Sequence, residues 1–295
     1  MGRIMKLVKW EECGCPLCPQ AGFSVFLPLP LPAADSCVPP PCLKKCLGCS
    51  LVFLSPRPTA ASMHHFYPED YQPYLEDKLP ANEGKIPKGF QPPEQGGTLL
   101  DVGFGAGKFL QRMCNAGWKV TGIDFSAIAV AQVQGKGFEV YQGSLPHPQL
   151  KGRQFDFVFL RQVLEHLHDP HAALCHAATL LPSGGKLVVS VPNLNSLSFR
   201  WFRENWFGID FPRHLFFFNK KTLAGMVERA GFQVLEIQPV RHGKWIWEAA
   251  REAVRNRRGG FTGRLLQNRL MSGLAASIGI WTGFPEGLQL LATKA

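Results

Sequence analysis

Thr98-Leu99-Leu100-Asp101-Val102-Gly103-Phe104-Gly105-Ala106-Gly107 reads as a buried strand running into a glycine turn. Leu99, Leu100 and Val102 form a short apolar run, the pattern of a parallel strand covered on both faces. After the alternating glycines, Lys108 to Met113 have helical spacing and contain no breaker. Strand, glycine turn and helix is the layout in which backbone N–H groups and a helix N-terminus come close to a ligand. Glycine suits such a turn because a side chain would block the approach or forbid a positive φ. Asp101 sets a carboxylate at the end of the strand, and Asp124 closes the next apolar run, Trp118 to Ile123. An acid in that second place can accept both ribose hydroxyls of a nucleoside. Together the three features predict a nucleoside-type cofactor.

Outward from this stretch, strands and helices alternate. The apolar runs 98–102, 118–123, 138–141, 155–160, 186–191, 232–237 and 287–292 predict strands. Helical spacing over 106–116, 126–134, 172–181 and 222–230 predicts the helices between them, with Ser126 as an N-cap. This order predicts an α/β fold with a doubly wound, seven-stranded sheet. A basic and then apolar helical segment, at about 245–284, reads as an insertion before the last strand.

Ahead of the sheet, Cys15-Pro16-Leu17-Cys18 and Cys46-Leu47-Gly48-Cys49 are two C-x-x-C knuckles. That pairing sets four thiolates (Cys15, Cys18, Cys46, Cys49) around a tetrahedral zinc with no open position, hence a structural one. Cys13, Cys37 and Cys42 are further thiols able to substitute, and a proline-rich loop separates the knuckles. The expected organisation is a zinc-ribbon-like module over 1–60, a connecting segment and linker over 61–97, and the sheet domain over 98–295.

The net charge is +10, unevenly placed. Residues 241–270 hold eight Lys/Arg against Glu248 and Glu252, a local balance of +6. Such a patch favours phosphate-bearing partners or is a solvated helix face. A basic helix followed by an apolar stretch can also rest on an anionic membrane surface, against the plainer reading of a helical insertion packed over the sheet. The basic N-terminus lacks the apolar segment of a signal peptide, and Met271 to Phe284 is too short to span a bilayer. The nine cysteines are therefore expected as thiols of a cytoplasmic protein rather than disulfides.

The motif order resembles class I S-adenosylmethionine (SAM)-dependent methyltransferases, with their Rossmann-like sheet. Leu99 to Gly107 looks like the first motif of that family and Gly122-Ile123-Asp124-Phe125-Ser126 like the second. Phe155 to Val158 with Val163-Leu164-Glu165-His166-Leu167-His168-Asp169-Pro170 resembles the strand-four region, and Gly184 to Asn193 the strand-five region. The knuckles, followed by Leu51 to Pro58 and Phe66-Tyr67-Pro68-Glu69-Asp70-Tyr71, resemble the zinc-ribbon-bearing branch. The resemblance implies that Asp101, Gly103, Gly105 and Gly107 surround the methionine part of SAM. Asp124 would bind the ribose and Phe125 would lie against the adenine. Ser144 and Leu145 would sit at the adenine edge, where the family often has an acid in place of Ser144. Arg161 and Gln162 would line the methionine end. A dinucleotide is the rival cofactor, but the turn is G-x-G-x-G, and an acid before it suits a cationic sulfonium better than a pyrophosphate.

Methyl transfer is an in-line displacement, so alignment carries much of the catalysis, and a hydroxyl or acidic-carbon acceptor also needs a base. The candidates are His166, read otherwise as a structural ring bonded to backbone, and His214. The stretch Phe211 to Phe218 resembles zinc-ribbon nucleotide-sugar C-methyltransferases, in which a histidine in such a region is linked to proton removal. Those enzymes carry a further C-terminal domain, so their substrate is not expected to carry over. Phe199, Trp201, Phe202, Trp206 and Phe207 are candidates to cover the acceptor, and Arg213 either binds an acceptor anion or pairs with an acid. The expected activity is methyl transfer to an O or C atom of a small-molecule or glycan-type acceptor. The alternatives are an RNA methyltransferase using the ribbon and basic surface, and a SAM-binding scaffold without turnover.

Overall fold

A computed structural model describes residues 8–29, 40–68 and 96–295. Cys37, Tyr71, Tyr74, most of the proline-rich loop and most of the 79–97 linker lie outside the described residues. The first strands are β1 (Trp10–Glu11), β2 (Phe23–Pro28), β3 (Cys42–Cys46), β4 (Val52–Ser55) and β5 (Arg57–Pro58). β2, β3 and β4 pair antiparallel, and β5 pairs with β1. Leu43, Leu51, Phe53 and Leu54 are wholly buried, each such side chain contributing roughly 1.5–3 kcal/mol.

The large sheet contains β6 (Gly97–Val102), β7 (Trp118–Asp124), β8 (Glu139–Gln142), β9 (Phe157–Arg161) and β10 (Lys186–Pro192). After β11 (Phe216–Phe217) come its last two strands, β12 (Phe232–Val240) and β13 (Gly287–Lys294). The spatial order is β12-β13-β10-β9-β6-β7-β8. β13 runs antiparallel to both its neighbours, and the pairs from β10 to β8 are parallel. All seven strands thus lie where the apolar runs predict them. β6 is central because Leu99, Leu100, Asp101 and Val102 are all buried. The chain leaves β6 to one side for β7 and β8, then crosses to β9 on the other. This reversal makes the carboxyl ends of β6 and β9 a topological switch point, the place where open α/β sheets take ligands in a crevice.

The helices are α1 (Lys108–Asn115), α2 (Ala127–Gln134), α3 (Pro170–Thr179), α4 (Leu197–Phe202) and α5 (Lys220–Arg229). The insertion supplies α6 (Gly243–Arg255), α7 (Gly260–Leu266) and α8 (Arg269–Trp281). Caps start several of them. Ser126 accepts from the Ala129 N–H, Asp169 from Ala172, Ser196 from Phe199, and Asn219 forms a reciprocal box with Thr222. α1 begins at Lys108, two residues later than its spacing predicts, because Gly107 holds a left-handed φ of 78°.

The ribbon is joined to the rest by pairing that no local pattern announces. β11 adds to the edge of β4, giving the sheet order β11-β4-β3-β2. Phe26 also stacks on Phe199 at 6.0 Å. The insertion has its own small core, in which Ile246, Ala249, Ala250, Ala253, Leu266, Ala275 and Ala276 pack with Phe202 of α4. Among the described residues no helix is long and apolar enough to cross a membrane.

Candidate active site

The crevice is floored by Asp101. Its side chain has no exposure, and neither carboxylate oxygen has a hydrogen-bond partner. Burial pushes its pKa up to about 6, and the negative Asp124 adds to this; the Arg161 guanidinium, with Nε 3.9 Å away, pulls the other way. Arg161 lies flat over the Phe109 ring at 3.8 Å, which fixes it at the end of β9. Gly103 has a φ of 72°, and a Cβ there would fall 2.3 Å from Val163 Cγ2, so no other residue fits.

Asp124 organises the loop as well as facing it. Its Oδ2 accepts the Gly105 N–H at 2.9 Å and its Oδ1 accepts the Ser126 N–H at 2.9 Å. Burial raises its pKa while these two bonds act against the rise. Each oxygen keeps a second lone pair for a further donor.

From Asp124 a line of rings runs toward the second candidate centre. Phe125, half-exposed, meets Tyr67 edge-on at 4.6 Å. His166 Nδ1 lies 3.0 Å from the Tyr67 hydroxyl oxygen and 3.1 Å from the Arg213 carbonyl oxygen. The His166 ring in turn packs edge-on against His214 at 4.5 Å. His214 Nδ1 is 2.8 Å from the Gly208 carbonyl oxygen, and because that oxygen only accepts, the Nδ1–H donates and Nε2 keeps its lone pair. Two carboxylates face Nε2: Asp210 Oδ2 at 3.7 Å and Glu165 Oε1 at 4.0 Å. Burial pushes Glu165 up to about 8, so it is largely protonated at neutral pH. Burial and then His214 push His166 down to about 3. Burial also lowers His214 below its ordinary value, against the pull of Asp210, which favours the neutral ring with its Nε2 lone pair free.

The structure brings Asp101, Gly103, Gly105, Gly107, Asp124, Phe125, Arg161, His166 and His214 into one connected region. Gln162, with a φ of 57°, donates its N–H to Ser190 at 2.8 Å, next to Arg161. Ser144 is exposed and Leu145 buried just past β8. His166 lies in a short helical turn, Leu164–His166, rather than opening a longer helix. Arg213 pairs with Asp210, the acid reading of its role. Of the aromatic segment, Phe199, Phe202 and Trp206 are buried in packing, while Trp201 and Phe207 are exposed. Tyr67, Glu165 and Asp210 were not singled out by sequence. Asp210 stands four residues before His214 and Glu165 beside His166, the only local signals they offered.

The knuckle cysteines converge too. The sulfurs of Cys15, Cys18, Cys46 and Cys49 all lie within 4.8 Å of one another. Hydrogen bonds from the Cys49 and Gly48 N–H groups and from neighbouring thiols take Cys46 down to about 7 against the cost of its burial, so it readily supplies a thiolate. Cys13 and Cys42 stand apart, their thiols donating to the Leu54 and Ser55 carbonyls.

A family model described as a methyltransferase domain matches residues 64–237. The ubiquinone biosynthesis O-methyltransferase of Bordetella avium (strain 197N) is 35% identical over 112 residues, 36% of this chain and 46% of that protein. A probable S-adenosylmethionine-dependent methyltransferase of Mycolicibacterium smegmatis (strain ATCC 700084 / mc(2)155) is 28% identical over 155 residues, 52% of this chain and 58% of that protein. The chain spans about half the length of the curated relatives it matches. Among solved structures, a SAM-dependent methyltransferase from Thermotoga maritima, described as a possible histamine N-methyltransferase, aligns with a TM-score of 0.47 at 19% identity, covering 68% of this chain and 82% of that one.

Proposed function

This chain belongs to the methyltransferase-domain family, and we propose that it transfers a methyl group from SAM to an oxygen of a small-molecule acceptor. The observation that carries the reading is the unbroken line Asp124–Phe125–Tyr67–His166–His214, which joins a nucleoside-binding acid to a neutral, oriented base. The similarity to ubiquinone biosynthesis O-methyltransferases favours oxygen as the acceptor atom.

Asp101 fits a cationic cofactor, because a wholly buried carboxylate with two unpartnered oxygens calls for a positive group or donor. In this reading Asp101 faces the ammonium of SAM, and the loop of Gly103, Gly105 and Gly107 closes on its methionine part. Asp124 takes the ribose hydroxyls, Phe125 the adenine face, and Ser144 and Leu145 the adenine edge. Arg161 and Gln162 bound the methionine end. SAM supplies an electrophilic methyl on its sulfonium. His214 Nε2 would take the proton of the acceptor hydroxyl as the methyl group is transferred, and Asp210 would stabilise the resulting imidazolium. Incubation of the protein with labelled SAM and a cell extract should put label into a low-molecular-weight product carrying an O-methyl group. Label recovered in RNA, or a methyl bonded to carbon, would overturn the assignment.

The four knuckle thiolates would hold one structural zinc. The purified protein should contain one equivalent of zinc, and Cys46→Ser should lose it. The expected fall in melting temperature is at least ~5 °C, since roughly 2–4 °C accompany each kcal/mol in a domain of this size. A full metal complement in the variant would remove Cys46 from the ligand set.

A further inference from the structure

α8 is built inside out. Its inward residues are the small Ser272, Ala275, Ala276 and Gly279, whereas Leu270, Leu274, Ile278 and Trp281 point outward. Leu270 is 79% and Trp281 89% exposed. On α7, Phe261 and Leu265 extend the same exposed apolar character, and residues 270–284 contain no charged side chain. The orientation is fixed by packing. A Cβ on Gly243 of α6 would lie 3.1 Å from the Gly273 Cα, so α8 can approach this closely only with small residues facing in.

The insertion that carries this face also carries unpaired cations. Lys244, Arg257, Arg264 and Arg269 are exposed, and among the described residues none has a carboxylate at ion-pair distance. Arg251 and Arg269 lie over the Trp247 ring, at 4.5 and 4.6 Å. Arg241 is tied to α8 through Ser277 and the Gly273 carbonyl. We propose that the exposed face of α7 and α8 is a docking surface for an anionic lipid bilayer, its large side chains entering the headgroup boundary and its arginines meeting lipid phosphates. At 13 residues α8 is too short to span and lies along the interface. Charge selects this occupant over a second copy of the chain, since two such faces would bring Arg264 and Arg269, which have no carboxylate at ion-pair distance among the described residues, together with their counterparts.

The full chain should sediment with vesicles of equal parts phosphatidylcholine and phosphatidylglycerol, and much less with phosphatidylcholine alone. The double variant Leu274→Glu/Ile278→Glu should weaken that binding at least tenfold while leaving SAM affinity unchanged, as both side chains are exposed and outside the cofactor crevice. Arg264→Glu/Arg269→Glu should weaken it and flatten its salt dependence. Equal binding to both vesicle types, or undiminished binding by the Leu274/Ile278 variant, would overturn the proposal. So would a dimer in sedimentation velocity that the same variant dissociates, which would give the face to a second copy. Vesicle binding is read without turnover, so its failure leaves the methyltransferase reading untouched.

Discussion

Asp101→Asn should weaken SAM binding by about tenfold to a hundredfold near neutral pH, while making the protein without SAM more stable to heat. Both effects come from one buried charge. Leaving an ionised carboxylate buried with neither oxygen hydrogen-bonded is costly even with Arg161 3.9 Å away, and removing it relieves the fold. The carboxyl titrates at about 6, above its ordinary 3.8. A raised acid contributes stability that is fully present below the ordinary value and is lost as pH rises through about 6. The wild-type protein without SAM should therefore lose stability between about pH 4 and 6 through this group, and the Asn variant should lack that component. SAM reverses the sign, because a cationic ligand favours the ionised form. Its affinity should rise as pH increases through about 6 and then level, whereas Asp101→Asn should show no such step. Calorimetric titration at several pH values checks this. An unchanged dissociation constant in the variant would mean that Asp101 does not face the ligand's charge.

The sheet was legible because burial writes itself into consecutive residues. Leu99 to Val102, Val158 to Leu160 and Leu187 to Val189 lie in central strands whose neighbours on both faces exclude water. The glycine loop was legible because positive φ and a 2.3 Å approach at Gly103 leave a residue-type signature. The knuckles were legible because ligand spacing is local, although the convergence of two pairs is not. Elsewhere the determinants are long-range or symmetric. β11 is two residues inside the run Phe216-Phe217-Phe218, whose apolarity gives no period, so its pairing with β4 left no trace in the pattern. Tyr67 reaches His166 across 99 positions. In α8 both faces are uncharged after Arg269, and only side-chain size separates them. Helical period alone could therefore find the helix, but not which side meets solvent.

His214→Asn should lower kcat by about a hundredfold to ten-thousandfold, the usual contribution of a positioned base, with SAM affinity unchanged. Asparagine is the informative replacement because its side-chain amide N–H can stand in for Nδ1–H and keep the bond to the Gly208 carbonyl. The turn through Gly208 then retains its anchor while the Nε2 lone pair is gone. Alanine would also release a backbone carbonyl, confounding a lost base with a loosened turn. The pH profile gives an independent readout. Burial holds His214 below its ordinary 6.5, so in the wild type the basic form persists through neutrality and kcat falls on the acid side of that value. The variant should lose this acid limb along with the rate. Asp210→Asn separates the two roles of the neighbouring acids: it removes the charge 3.7 Å from Nε2 and the pairing with Arg213 while leaving the imidazole in place. Its kcat should fall less than that of His214→Asn, with the acid limb moved further down because the imidazolium has lost its stabilising partner. A His214→Asn protein that turns over at the wild-type rate with the same acid limb would transfer the base role away from His214. His166, held near 3 and bonded through Nδ1 to the Arg213 carbonyl, would then be the next ring to replace.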